Sequence, residues 1–362
     1  MVSRRSFLLA GGAAALATGC GSAVASRRFV SAATDTQGEH FVAAFDEIGE
    51  LRYRTPIGFR GHEVVIAPDR KTATVVARRP RTSLVQIRLD DGAIIGRAEA
   101  AAGRHFYGHG VYTGDGALLF TTENDFERTR GVVTVRDASN LRVVEEFDSH
   151  GVGPHEMRWL SDGHTLAVAN GGIATHPRTG RAKLNLDSMR PNLAYIDVRS
   201  GELIGRVDPD YRYNSVRHLD VLSNDAVVVG MQQEDGSATD QLLIAVDGAR
   251  ANLPSLPMSP VNLRELNQYI ASVCADRETG NVVATCPRGN RVVFWDGAGA
   301  AFSRSLRIAD AAGVCVDEVS REFVVTTGRG MIYRFDCTTF KQSIGSPARV
   351  PKLSWDNHLA AA

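Results

Sequence analysis

Cysteine is scarce in this sequence. Five in 362 residues, none in a CxxC pair, exclude a disulfide-stapled scaffold and a zinc ribbon. An excess of one charge is missing too, since 41 Lys and Arg balance 41 Asp and Glu. A chain without basic excess has little to drive phosphate contacts, which argues against a nucleic-acid binder. Beyond the N-terminus no apolar run is long enough to span a bilayer. Long helical periodicity is nearly absent, and Val261 to Tyr269 is the one short segment that reads as a helix. Apolar side chains and glycine are plentiful: hydrophobic residues make up 43%, charged residues 23%, and glycine fills 35 positions. A chain so composed can bury a core and is not disordered.

Ser3-Arg4-Arg5-Ser6-Phe7-Leu8 is a twin-arginine pattern, and a short apolar stretch rich in Ala and Gly follows it, Leu8 to Thr18. This reads as an export signal for a protein that folds before it crosses the membrane. It sets residues 1–25 apart from a single domain over 26–362 and predicts a periplasmic location. Two exit sites compete. Ala17-Thr18-Gly19-Cys20 is a weak lipobox, whose use would leave a lipid anchor on Cys20; Ala23-Val24-Ala25 is an A-x-A site, whose use would release a soluble protein. A monomer is expected, with no membrane contact except through such an anchor.

The remainder reads as short β-branched runs separated by turn residues. Glu63 to Ala67, Thr72 to Ala77, Ser83 to Leu89 and Ile94 to Ala98 form one unit, with Pro68-Asp69-Arg70-Lys71, Arg79-Pro80-Arg81 and Asp90-Asp91-Gly92 between them. The unit recurs from Gly108-His109, Pro154-His155 and Arg217-His218. It recurs without the histidine from Ala271-Ser272 and from Gly313-Val314. A four-strand repeat of roughly 45–50 residues marks a β-propeller. Six units are complete. Arg28 to Ala33, His40 to Phe45 and Leu51 to Thr55 supply three outer strands of a seventh, and Lys352 to Ala361 supplies one lone strand with Asn357-His358-Leu359 at its start. The fold class is therefore all-β, a single seven-bladed propeller closed by pairing of the N- and C-terminal strands, which removes exposed sheet edges.

In a propeller the innermost strand of each blade lines the central channel. Its start lies on the same face as the end of the antiparallel second strand. That face collects His62, His109, His155, His218 and His358, half of the ten histidines in the chain, together with Arg78, Arg79, Glu123, Asn124, Asp125, Asn170, Gln232, Gln233, Arg288 and Arg329. Glu63 and Glu156 follow two of the histidines and Arg217 precedes another. Two readings stand side by side. Each histidine could bond a group in the turn between blades, as Gly-His does in WD repeats; but Trp-Asp occurs only at Trp295-Asp296 and Trp355-Asp356, so this is not a WD40 chain. Alternatively the histidines share a ring and, with Glu123, ligate iron or another transition metal. Arg78, Arg79, Arg217, Arg288 and Arg329, with Asn124, Asn170 and Gln232, would then orient an anionic group. His155-Glu156 lacks the second histidine of HExxH. The segment Gly171 to Pro191 is an inserted loop on the same face, either a lid or a surface excursion. Cys274, Cys286 and Cys315 read as buried small apolar residues, with a Cys274–Cys286 cross-strand disulfide as the alternative.

Several long motifs carry a family resemblance. Gly103-Arg104-His105-Phe106-Tyr107-Gly108-His109-Gly110, Thr122-Glu123-Asn124-Asp125, Gly153-Pro154-His155-Glu156, Ala169-Asn170-Gly171-Gly172-Ile173, Thr175-His176-Pro177, Lys183 through Pro191, Ser215-Val216-Arg217-His218 and Trp355-Asp356-Asn357-His358 resemble an uncharacterised bacterial family. It is the domain of unknown function 1513 family, commonly encoded beside imelysin-type iron-regulated periplasmic proteins and similar to quinoprotein-amine-dehydrogenase-like propellers. The resemblance covers nearly all of the chain after the signal. It implies a twin-arginine-exported propeller connected with iron or other metal acquisition, with imelysin-like partners. It implies no reaction. The leading expectation is thus a non-enzymatic propeller that binds a metal or metal complex at its channel mouth. A lactonase-like hydrolase, with a histidine as general base and an arginine stabilising an oxyanion, and a protein-docking scaffold are the alternatives.

Overall fold

The computed structural model describes residues 27–180, 182–236, 243–248, 252–297 and 301–362. The twin-arginine segment, Cys20 and both cleavage sites lie outside the described residues.

Seven antiparallel sheets form seven blades. The innermost strands of blades 2 to 7 are Gly61–Ile66, Arg104–Tyr112, Pro154–Trp159, Asn214–Val221, Ser272–Ala275 and Ala311–Asp317. Each touches the next, and the contacts return to the start through the C-terminal strand Ala360–Ala361, so the ring is closed. The burial pattern follows radial position. Second strands such as Thr72–Ala77 and Thr165–Asn170 are buried almost throughout, being covered by a blade on either side, and so read as continuous runs of Val and Ala. Outer strands such as Leu51–Pro56 and Ile94–Glu99 alternate between half-buried and exposed positions. The core is correspondingly divided into packets between blades. Val30 and Val42 of blade 1, for example, pack against Val64, Val75 and Val85 of blade 2.

Two sequence expectations need adjustment. The helix is only Pro260–Glu265. Ser259 caps it by accepting from the Asn262 N–H, and positive φ at Asn267 and Gln268 (50° and 58°) forbids its continuation to Tyr269. Of the histidines expected at strand starts, His62 and His155 are the second residues of theirs, while His109 and His218 lie in mid-strand; all four stand at or beside breaks in register. The ladder of blade 2 skips from Gly61 to Val64, that of blade 3 from Phe106 to Gly110, and that of blade 4 from Pro154 to Met157. In blade 5 it skips from Val216 to His218. A bulge frees its residues from the alternation of the strand and re-aims them, here toward the axis. Gly108 shows the close fit this needs: at φ 110°, a Cβ on it would lie 2.5 Å from the His62 ring.

Ring closure is as expected. Arg28–Asp35 pairs on its inner side with Leu353–Trp355 and Ala360–Ala361, in register Ala33 with Trp355 and Val30 with Ala360. Between those two short strands the chain leaves the ladder and carries Asp356 and His358 inward. It passes so close to blade 7 that a Cβ on Gly313 would meet the His358 carbonyl carbon at 2.8 Å. Trp355 is buried against Phe45, ring centroids 5.3 Å apart. Trp355→Ala is expected to lower stability by about 3–5 kcal/mol, the usual cost of emptying a large buried site, measured as a shift of the urea midpoint. A loss under about 1 kcal/mol would show that the C-terminal strand does not hold the ring.

Candidate metal centre on the propeller axis

Four register breaks and the unpaired C-terminal segment bring five imidazoles to one place. His62, His109, His155, His218 and His358 are all buried, none more than 7% exposed. His109 is at the centre, its ring centroid 4.8 Å from that of His62, 4.5 Å from those of His155 and His358, and 5.8 Å from that of His218. The innermost strands of the other two blades, Ser272–Ala275 and Ala311–Asp317, contain no histidine. The five histidines predicted from the sequence are therefore brought together.

Three of the rings are fixed from the preceding blade. Asp356 of blade 1 bonds His62 Nδ1 at 3.0 Å, Glu63 of blade 2 bonds His109 Nδ1 at 3.0 Å, and Glu156 of blade 4 bonds His218 Nδ1 at 3.1 Å. The same glutamate oxygens accept from the backbone N–H of Gly110 and, more loosely, of Leu219. Arg158 then ties the two glutamates together, with Nη2 3.0 Å from Glu63 and 2.5 Å from Glu156. Asp356 is held in turn by Arg60 at 2.7 Å and Arg78 at 3.0 Å. A carboxylate on Nδ1 selects the tautomer that leaves Nε2 as a lone-pair donor, which is how protein matrices orient metal-ligating histidines. His109 Nε2, His155 Nδ1 and His358 Nε2 are buried with no hydrogen-bond partner. Leaving such an atom unpaired costs about 1–3 kcal/mol.

The electrostatics disfavour protonation of four of the rings. Burial first, and then the charges of neighbouring histidines and arginines, hold His62, His155, His218 and His358 well below the ordinary imidazole value. Burial works against ionisation of Glu63 and Asp356 as well. For Glu63 it is outweighed by Arg158 and His109, and for Asp356 by Arg78 and Arg60, so both carboxyls stay below their usual range.

Two sets of ligand atoms lie within 4.8 Å of one another: His62, His109 and His155, and His109, Glu156, His218 and His358. Ligands at about 2.0–2.2 Å from one ion lie within about 4.4 Å of each other, so either set needs only a small contraction to bind. Both use His109, whose remaining free nitrogen can serve one ion.

The other predicted residues divide. Arg78, Arg79, Arg217, Gln232 and Arg288 do line a recess of about 170 Å³ whose floor is His62, His155 and His218. Glu123 belongs to neither ligand set. It is fully buried in an ion pair with Arg136 at 2.8 Å, a contact inside blade 3, and the carboxylate that joins a ligand set is that of Glu156 instead. Asn124 donates to His105 Nε2 and to the Thr175 carbonyl, and Asn170 bonds Ser149 and Asn192. Both hold loops and do not line the recess. Arg329 is exposed and away from it. The inserted loop does reach the site: Lys183 lines the recess and bonds Glu234 at 2.7 Å. No disulfide joins Cys274 and Cys286. Cys274 faces Val283 across the ladder and Cys286 faces Arg291, and all four described cysteines are free and buried.

Sequence reasoning missed Arg158, Asp356 and Tyr269. Arg158 had a signal, since it stands two residues after Glu156 in a strand and so shares its face. Below the imidazoles the later residues of the innermost strands line a second cavity of about 700 Å³, which contains Glu63, Glu156, Asp220, Asp276, Glu278 and Glu318 against Arg158, Arg277 and Arg321. The channel thus runs from a basic recess to an acidic cavity through a buried layer of imidazole.

A base whose native pKa is depressed favours the folded state above its unfolded value, about 6.5 for histidine, and weakens it as pH falls below that. In that window the unfolded chain takes up protons that the buried rings refuse. Chelator-treated protein is expected to keep constant stability from pH 8 to 7. Below about pH 6.5 it should lose about 1.4 kcal/mol per pH unit for each such histidine still neutral in the folded state. Urea midpoints at pH 7.5, 6.5 and 5.5 measure this, and a flat profile would contradict the burial described.

Comparison with known proteins places the fold. Hydrazine synthase of Kuenenia stuttgartiensis superposes with a TM-score of 0.61 at 13% identity, over 87% of this chain and 91% of that one. A functionally unknown protein from Desulfotomaculum acetoxidans DSM 771 superposes with a TM-score of 0.63 at 10% identity, over 93% and 99%. At such identities the likeness is one of fold. No curated relative matches the sequence. The family described as "Protein of unknown function (DUF1513)" matches residues 55–362, and the chain belongs to it.

Proposed function

We propose that this member of the family is a binding propeller that holds one transition-metal ion in its axial histidine cluster. The observation that carries the reading is His109. It is fully buried, fixed through Nδ1 by Glu63, unpaired at Nε2, and ringed by four other imidazoles. A hydrogen bond between blades needs one imidazole at each seam; it does not need five converging on the axis with three ring nitrogens left over. Neutral imidazole suits iron, zinc, copper and nickel, whereas calcium and magnesium demand oxygen donors. Iron is the first ion to test, because the sequence resembles a family encoded beside imelysin-type iron-regulated proteins. On that reading the protein handles iron in the periplasm, the destination of a twin-arginine segment, alongside such partners.

The test is elemental analysis of protein purified without a histidine tag, before and after incubation with ferrous, zinc or cupric salts. Near one equivalent of metal is expected. His155→Gln is the informative variant, since His155 makes no carboxylate bond and its Nδ1 has no partner. It should fold with wild-type stability and bind metal at least ten-fold more weakly when the ion sits among His62, His109 and His155; His358→Gln should do so when it sits in the other set. Replacement of all five histidines by alanine should abolish binding. Wild-type protein that takes up none of the three metals would sink the reading.

A further inference from the structure

The recess above the imidazoles has a charge that metal ligation does not explain. Arg78, Arg79, Lys183, Arg217 and Arg288 line it, and Glu234 is the one carboxylate among the lining residues. The acids nearby are shared. Glu234 takes both Lys183 at 2.7 Å and Arg217 at 3.0 Å, and Asp356 takes both Arg60 and Arg78. Arg288 sits over Tyr269 with its guanidinium carbon 4.3 Å from the ring centroid. An arginine stacked by its face keeps the edges of its fork for an in-plane partner, and that geometry matches a carboxylate or a phosphate. A concave site walled by one sign of charge concentrates the opposite ion. The floor supplies His155, whose Nδ1 is buried without a partner.

The geometry points to a binding site for a small oxyanion, a carboxylate or phosphate compound, seated between the arginines and the histidine floor. Its existence stands on the charge of the recess. Its coupling to a metal rests on the reading above: an ion in the imidazole layer adds positive charge directly beneath the recess, so an oxyanion that reaches it both neutralises that charge and fills an open coordination position. The unit bound would then be a metal together with its oxyanion chelator. A cation approaching alone is drawn instead to the acidic cavity on the far side.

Calorimetric titration tests this with citrate and with inorganic phosphate, at low ionic strength, into chelator-treated and zinc-loaded protein. At least one of the two anions is expected to bind the metal-free form and to bind the zinc-loaded form at least ten-fold more tightly. A preference for citrate or for phosphate identifies the class. Arg288→Gln, a change at an exposed side chain, and the double variant with Arg79→Gln should weaken binding at least ten-fold. Arg329→Gln, a strand-end arginine outside the recess, should leave it unchanged. Absence of binding by both anions in both forms overturns the site, as does binding that survives the double variant. Affinity equal with and without zinc overturns the coupling. If zinc fails to load while the anion still binds, the metal reading falls and the oxyanion site stands; if zinc loads and no anion binds, the reverse holds.

Discussion

The contact on which the rest of the structure depends runs from a carboxylate of one blade to an imidazole of the next. Asp356 to His62, Glu63 to His109 and Glu156 to His218 repeat one geometry at three seams. Each sits where the innermost strand breaks register, so the side chain that fastens the seam is also the one turned toward the axis. Fastening the ring and building its centre are therefore one act. The arrangement demands buried charge, and the protein compensates with charge: Arg158 between the two glutamates, and Arg60 and Arg78 on the aspartate. Truncating Arg158 would leave two buried glutamates without their arginine, which is costlier than the contact is worth in isolation.

Much of this was legible beforehand. Five histidines recurring at one position of a strand repeat gave both the architecture and the centre, because a propeller maps equal positions onto one circle. The pairing of Leu353–Trp355 with Arg28–Asp35 was legible from three strands at one end and a lone one at the other. What the repeat could not supply was local. Glu123 stands at a second-strand end, as Gln232 does, yet turns to Arg136 inside its own blade, and nothing in the residue order distinguishes the two cases. Asn124 and Asn170 were drawn into loops whose course depends on tertiary packing. Arg158 was readable by strand alternation with Glu156, but a bulge immediately before it makes such counting unreliable.

The axis has a polarity that follows from the direction of the strands. The innermost strands pass the imidazole layer in one common direction, so the residues before and after the histidines collect on opposite sides. Basic groups from second-strand ends and the inserted loop gather on one side. Acidic groups from the ends of the innermost strands gather on the other. The buried imidazoles between them make the layer a boundary between two fields and an ill-suited place for any bare charge lacking a lone-pair donor within reach.

His358 gives the assembly a sequence in time. Six blades can be completed by residues that neighbour one another along the chain, but the first blade waits for Leu353–Trp355 and Ala360–Ala361, and the fifth imidazole arrives with them. Until those last residues have been synthesised and docked against Arg28–Asp35, four imidazoles face a gap and Asp356 is not there to orient His62. The cluster thus depends on this segment: a polypeptide interrupted before Leu353 would carry four of the five histidines and none of the finished site.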